Sequence, residues 1–503
     1  MKTYIGIDFG ACNIKAFQIN NGRELSIRLD KQQSGKEYIP NIILYDKHKG
    51  KLENIVGKIA KRDGKPQNKV WQIKPKISKK NWSKYIENLG REVNAAEVVK
   101  DILDCIWRTI TNQFAGEKDF DVTITAPVSF SEVQKNLIKQ AALDAGIPVT
   151  TVITEPFAAM FSLEDFLQDE DKQTVLIFDF GGSTLDLSLF RIERADDELR
   201  FTELAAAGLK FGGLDIDKAI FENIFMVKYA DEVKKILDNG TPKIEFLNAI
   251  ESIKESIFED DEDSMSEFVK DNEGGLIEFN LTKDEIISVL EKIKIKEKII
   301  AVFEELFEDA KIKKSEVTAV KPFGGTSTIS YFLEMLTDYF GAEVFDCEDF
   351  DLPPDEIYMG VAKGAAKYRY TIEKENSGVT IKNVIPYSIG LAKNKNFTRY
   401  IKRNEISGFV TRFESLLISE LEKNNWRVAV YQSFSNEFKL PLDSEEVIFM
   451  CDVELDKNLY SVEDAILFKM KTDSSGKIHM KFFEFPPDSD EPKLIEEKFV
   501  KVG

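Results

Sequence analysis

"IFDFGGSTLDLSLF", residues 177–190, sets two glycines and two hydroxyl residues between two apolar runs, with Asp179 before the turn and Asp186 after it. A hairpin by itself asks Gly and Ser only for backbone freedom. The N-terminus argues for more. "IGIDFGACNIKAF", residues 5–17, repeats the layout: apolar strand, Asp8-Phe9-Gly10, small-residue turn, apolar strand. Two copies so far apart predict a duplicated domain, not a short solenoid repeat. A third glycine turn, "VKPFGGTSTISYF" at 320–332, follows a short strand and opens a helical pattern. Backbone N–H groups in such turns wrap phosphate oxygens at close range, so three of them predict a phosphate cradle.

Bulk properties narrow the partners. The 503 residues suggest two or three domains, and 43% hydrophobic content suffices for real cores. With 68 basic and 88 acidic residues the net charge is −20, which argues against nucleic acid or an anionic membrane as a partner. No apolar run approaches a membrane span, and the chain enters a strand at once, so no signal peptide and a cytoplasmic location are expected. Cys12, Cys105, Cys347 and Cys451 are scattered, which argues for reduced thiols and against a structural zinc site. Only His48 and His479 occur, which leaves little for a Ser-His-Asp hydrolase and no HRD loop for a protein kinase, despite two "DFG" triplets. Walker and GxGxxG patterns are absent.

Along the chain, residues 92–114 read as a helix with Val99, Leu103, Ile106 and Ile110 on one face. A βαβ unit follows: strand 121–126, a helix capped by Ser131 and Gln134 and closed by Gly146, then "VTTVIT". A single crossover implies parallel strands, and it leaves Glu155 just beyond a strand C-terminus, where sites gather in α/β sheets. The acidic run "FEDDEDSMSE" at 258–267 reads as a solvated loop. Thr282 and Glu285 cap a helix expected to run to about residue 310. Short alternating segments from Ser377 onward predict an all-β domain, and "PPDSDEPKLIEEKFVKVG" reads as a polar tail.

Two Asp-headed hairpins in two α/β halves, with a third glycine turn, are the pattern of the actin-like ATPase fold. Over residues 4 to 485 the chain resembles one branch of it, the heat shock protein 70 chaperone family. "IGIDFGACN" and "IFDFGGSTLDLSLF" resemble its two phosphate loops, "VITEPFAAM" its Glu-Pro segment, "GLKFGGLDID" the segment after the second loop, and "FGGTSTI" its adenosine loop. "PPDEIYMGVAKGAA" is similar to the helix that closes the ATPase domain. "VIPYSIGLA", "YIKRNEISG" and "FKMKTDSSGKIHMKFFE" are similar to the family's β-sandwich. The resemblance implies a two-lobed α/β ATPase domain at 1–372, a linker at 373–383, a β-sandwich substrate-binding domain at 384–485 and a short tail at 486–503.

It also implies roles. ATP or ADP would bind with Mg²⁺, and a monovalent ion such as K⁺ is an added candidate. Asp8 and Asp179 would hold a Mg²⁺-bound water shell, with Asp186 near the monovalent ion. Lys74 matches a catalytic lysine, Glu155 an acid that positions the attacking water, and Thr184 a contact to the γ-phosphate. Gly10, Ala11, Cys12, Gly181, Gly182, Ser183, Gly212 and Gly213 would supply backbone donors or close approach to phosphate. Gly324, Gly325 and Thr326 would approach the α-phosphate and ribose, while Glu251, Lys254 and Asp355 frame the adenosine. Without the resemblance, Lys74 reads as a surface lysine in a Lys-rich stretch, and Glu251 with Lys254 as a helix i, i+3 ion pair. Implied partners are unfolded or extended protein segments, a J-domain co-chaperone and a nucleotide-exchange factor, with the chain itself a monomer.

Three departures stand out. Ala11 and Cys12 replace two threonines, keeping the backbone donors but losing hydroxyls. Cys12 is either a small-residue replacement or a thiol whose pKa the N–H donors lower. Glu255, Phe258 and Thr328 replace an arginine, a serine and an arginine around the base. The linker "SGVTIKNVIP" carries Val379 and Ile381 in place of a leucine-rich run bounded by Asp, and a helical lid is not expected. The expectation is an ATP-dependent, slowly hydrolysing chaperone; the alternative is a non-hydrolysing nucleotide-binding scaffold or sensor with one dedicated partner. A sugar kinase or filament former on the same fold would not need the C-terminal strands.

Overall fold

The computed structural model describes residues 2–30, 37–48, 51–79, 81–114, 119–163, 172–195, 198–238, 242–270, 275–347, 354–374, 378–407, 410–412, 414–417, 427–456, 458–459, 465–472, 478–484 and 492–499. In the first lobe, β1 (Thr3–Phe9) and β2 (Asn13–Asn20) make the first hairpin, with Asp8 opposite Lys15. β3 (Arg23–Ser26) and β4 (Ile39–Pro40) both pair with β2. α1 (Ala95–Gln113) starts three residues later than expected, because Arg91–Asn94 is a strand and Asn94 with Glu97 forms the capping box. Its predicted face, Val99, Leu103, Ile106 and Ile110, is buried. β5 (Phe120–Ala126), α2 (Glu132–Asp144) and β6 (Val149–Thr154) form the parallel βαβ unit, and the Ser131–Gln134 capping box is present. α3 (Glu155–Ser162) begins where β6 ends.

The second lobe repeats this plan. β7 (Lys172–Phe180) and β8 (Leu185–Ala195) are the second hairpin, with Asp179 opposite Asp186, and β9 (Glu198–Leu209) extends it. α4 (Gly213–Ile220), α5 (Lys243–Glu259), α6 (Lys283–Lys292) and α7 (Ile295–Ala310) follow. β10 (Ala319–Phe323) lies parallel to β7 and leads into α8 (Ser330–Phe340). The strand orders are β6-β5-β1-β2-β3 and β10-β7-β8-β9, so each lobe flanks its hairpin with a parallel strand. β7 explains why such strands read as continuous apolar runs. Leu176, Phe178 and Phe180 enter one core while Val175 and Ile177 enter another on the opposite face.

α9 (Pro354–Glu373) joins the lobes: Ile357, Val361 and Ala365 pack into the second-lobe core, and Met359, Ala362 and Ala366 onto Phe17 and Ile19 of β2. β11 (Val379–Lys382), inside the segment expected to be a linker, adds to β9 as a parallel edge strand.

Beyond it lies a two-sheet sandwich. One sheet contains β12 (Ser388–Lys393), β13 (Asn396–Ile401), β15 (Arg427–Ser433), β16 (Lys439–Pro441) and β17 (Val447–Glu454). The other contains β14 (Glu414–Leu417), β18 (Ala465–Thr472), β19 (Ile478–Glu484) and β20 (Lys493–Phe499). Alternate residues such as Val428, Val430, Phe468, Met470, Met480 and Phe482 fill the space between them. The sandwich rests on the second lobe. Arg403 donates to Asp309 at 2.7 Å, Asn404 donates to Asp309 at 2.9 Å, and the Ala206 N–H donates to Asn404 at 3.1 Å.

Three further sequence expectations change. The expected polar tail contains β20, whose charged residues suit an edge strand wetted on one face and pair across to β19 through Lys481–Glu497 and Glu484–Lys493. The acidic run is only partly a loop, because a strand at Ser264–Lys270 begins within it and pairs with Leu276–Thr282. The long helix to residue 310 breaks at Lys294, which takes a left-handed φ of 55° between α6 and α7. Among the described residues no helix is long and apolar enough to cross a membrane.

Candidate functional site

The two hairpin turns and the β10–α8 turn meet at one cleft between the lobes. It is lined by Asp8, Gly10, Ala11, Cys12, Lys74, Glu155, Asp179, Gly181, Gly182, Ser183, Thr184, Gly213, Glu251, Lys254, Gly324, Gly325 and Thr326. Two further expected residues, both described, do not line it. Gly212 packs behind Gly182 and Ser183, and Asp186 is fully buried beneath the floor. Asp355 lies in the first turn of α9, and its side chain is outside the described residues.

Backbone geometry holds the three turns together. The Gly181 N–H donates to Thr184 O at 3.0 Å, the Thr326 N–H to Phe180 O at 3.0 Å, and the Thr326 hydroxyl to Gly181 O at 2.9 Å. Gly213 and Leu214, opening α4, donate to Gly181 O and Gly182 O. Several glycines here leave no room for a side chain, among them Gly10, where a Cβ would stand 2.2 Å from Asn13 O, and Gly212, where one would stand 2.4 Å from Ser183 N. A Cβ on Gly182 would stand 2.3 Å from the Cys12 Sγ of the other lobe. Gly324 has φ +81°, and a Cβ there would stand 2.8 Å from Asp179 Oδ1.

The floor is ionic and buried. Lys74, the first residue of a short helix at Lys74–Ile77, is 2% exposed and ion-paired to Glu155. Lys15 donates to Asp8 Oδ2 at 3.0 Å. Asp186 Oδ1 accepts the Val128 N–H at 2.7 Å, while its buried Oδ2 has no hydrogen-bond partner among the described residues. Burial, together with Glu155, Asp186 and Asp8, holds the Asp179 carboxyl well above the usual range. Burial likewise pushes Glu155 up to about 7, against the pull of Lys74, and raises Asp186. Crowded carboxylates with an orphaned oxygen and bare glycine backbone beside them fit a hydrated hard cation carrying phosphate.

At the other end, Glu251 and Lys254 do not pair with each other. Glu251 reaches Lys61 of the first lobe at 2.9 Å, and Lys254 reaches Asp217 of α4 at 2.6 Å. Burial pushes Asp217 up to about 7, with Lys254 opposing. Tyr38 and Tyr358 stack at 6.3 Å beside Phe258, Glu255 and Thr328. The lowered thiol pKa considered for Cys12 is corrected: burial, with Glu251 and Asp217 nearby, pushes it up. Sequence reasoning missed Lys15, Asp217 and Tyr38. Lys15 was within reach, because counting across the first hairpin places it opposite Asp8.

Comparison with known proteins gives the family. The family model "Hsp70 protein" matches residues 4–439. The "Chaperone protein DnaK" of Stenotrophomonas maltophilia (strain R551-3) is 25% identical over 460 residues, which cover 86% of this chain and 69% of that protein. The fold is therefore the actin-like two-lobed ATPase architecture followed by a β-sandwich, and the chain belongs to the Hsp70 family of ATP-binding chaperones.

Proposed function

We propose that the chain hydrolyses ATP slowly in the interlobe cleft and uses nucleotide state to bias the sandwich between weak and tight binding of extended apolar segments of unfolded proteins. The observation that carries this reading is the buried Lys74–Glu155 pair set between two Asp-headed glycine turns. Phosphoryl transfer needs charge neutralisation and an aligned water more than covalent chemistry. Lys74 would place its ammonium near the terminal phosphate, and Glu155 would orient the attacking water. Thr184 would contact the γ-phosphate by its hydroxyl. Asp8 and Asp179 would hold the water shell of Mg²⁺, which when bound supplies charge neutralisation at the phosphates, and Asp186 would stand near a monovalent ion. The backbone of Gly10, Ala11, Cys12, Gly181, Gly182 and Ser183 would donate to phosphate oxygens, with Gly212 and Gly213 keeping that wall thin. Gly324, Gly325 and Thr326 would approach the sugar end, and Glu251, Lys254 and Asp355 would frame the nucleoside.

Coupling would run through β11, docked on β9, and through the Arg403–Asp309 contact, both of which a nucleotide-driven lobe rotation would strain or relieve. A J-domain co-chaperone and a nucleotide-exchange factor are the partners this reading calls for. Single-turnover hydrolysis of ATP with Mg²⁺, comparing the wild type with Lys74→Ala and Asp179→Ala, tests it. Slow turnover lost in both variants supports the ATPase. Tight binding with no turnover above the variants would instead select a nucleotide-reading scaffold, the outcome that Ala11 and Cys12 would then explain.

A further inference from the structure

The two hairpins that head the lobes differ in charge opposite their leading aspartates. Asp8 faces Lys15 across the first, and Asp179 faces Asp186 across the second. The duplication thus puts a cation in the first lobe where the second carries an anion. Lys15 is not a surface lysine. Its side chain is 12% exposed, it lines the cleft, and its ammonium sits 3.0 Å from Asp8 Oδ2 with Asp179 and Glu155 in electrostatic reach. A lysine that merely buries its stem carries its charge out to water; this one brings it to the cleft floor.

The charge balance of that floor gives the ammonium a function. Asp8, Glu155, Asp179 and Asp186 are four carboxylates, and Lys15 and Lys74 are the two ammoniums among them. Nucleotide phosphates would bring further negative charge to that floor, which one divalent cation offsets only in part. With a neutral residue at position 15, the same floor would call for one more monovalent cation. An ammonium resembles a small monovalent ion in charge, and its three N–H donors suit carboxylate and phosphate oxygens together. Being tethered, it is present without capture from solution.

We infer that Lys15 is a resident monovalent cation of the phosphate site, touching nucleotide phosphate from the first lobe and making nucleotide binding independent of K⁺. The inference rests on the reading of the cleft as a nucleotide site. It is tested by measuring the affinity of the full chain for ATP with Mg²⁺ in K⁺, Na⁺ and N-methyl-glucamine salts at matched ionic strength, for wild type, Lys15→Gln and the double variant Asp8→Asn/Lys15→Gln. Wild-type affinity should agree within about twofold across the three salts. Lys15→Gln should lose about 10- to 100-fold in N-methyl-glucamine, the loss of one charged phosphate contact, and regain about tenfold or more in K⁺. The double variant, which removes one charge of each sign, should bind more weakly than wild type but show no K⁺ requirement. It also serves if Lys15→Gln, with Asp8 left unpaired, fails to fold.

Wild-type binding that requires K⁺, a Lys15→Gln protein that ignores K⁺, or a double variant that needs it would each overturn the role of Lys15 and leave the nucleotide reading standing. No ATP binding by the wild type in any of the salts would remove both.

Discussion

Glu203, in the middle of β9, accepts the backbone N–H of Val384 through Oε2 at 3.0 Å and the hydroxyl of Ser188 through Oε1 at 2.9 Å. A buried carboxylate of the ATPase sheet thus holds the chain at the point where it leaves β11 for the sandwich. Burial pushes its pKa up to about 7, with the two hydrogen bonds and Lys135 opposing.

A carboxyl whose folded pKa is raised stabilises the fold most at low pH, and that contribution is lost as pH rises through the folded value. Glu203 should therefore cost the fold about 3 kcal/mol above pH 7 relative to pH 4. Glu203→Gln keeps an acceptor for Val384 without the buried charge. Urea denaturation should show the variant more stable than wild type at pH 8 and close to it at pH 5. Equal pH dependence in the two proteins would remove this account.

The Lys74–Glu155 pair makes a separable prediction. Lys74→Met leaves Glu155 buried without its cation, which should cost about 3–5 kcal/mol where the carboxyl stays charged. Adding Glu155→Gln should return much of that stability, because two neutral groups need no counter-charge. Single-turnover hydrolysis should fall about 100-fold or more in both proteins. A double variant as unstable as Lys74→Met would mean that the pair is not coupled.

Asp121 in β5 is fully buried and held by Arg369 of α9 at 2.8 Å, Lys2 at 3.0 Å and Thr150 at 2.6 Å. Burial pushes its carboxyl up, but these partners win and hold it at about 2. A lowered carboxyl pKa gives stability present above the unfolded value and lost as pH falls through the folded one. Asp121→Asn should loosen α9 from the first lobe, cost about 2–4 kcal/mol at neutral pH, and flatten the loss of stability between pH 4 and 2. Thermal melts across that range would decide it; a variant with wild-type acid sensitivity would be the contrary result.

Cys12 should be a slow nucleophile. Its thiol is pushed up by burial and by the acids Glu251 and Asp217, so little thiolate exists near neutral pH. Iodoacetamide labelling read by peptide mass spectrometry should modify Cys12 more slowly than a free thiol at pH 7.5, accelerating only in alkali. Rapid labelling at neutral pH would restore the lowered thiol pKa.

The duplicated hairpins, the third glycine turn, the βαβ unit and its capping boxes were legible in the sequence, since each is a local pattern whose cause lies within a few residues. Asp8, Asp179 and the glycines could be named for the same reason. Partners brought together from distant segments were not legible. Nothing local says that Glu251 pairs with Lys61 and Lys254 with Asp217, because helix spacing favours the pair they do not make. The polar end of the chain looked like a tail, and only the open edge of β19 makes β20 a strand. The Cys12 thiol follows the same rule. The N–H donors beside it are local and would lower its pKa, whereas its burial and the acids of the second lobe are tertiary and prevail at close range in a poorly solvated cleft. Sequence alone determined the lobes and the turns that meet at the cleft; which charges face one another there was decided only by folding, through distances that chain order does not contain.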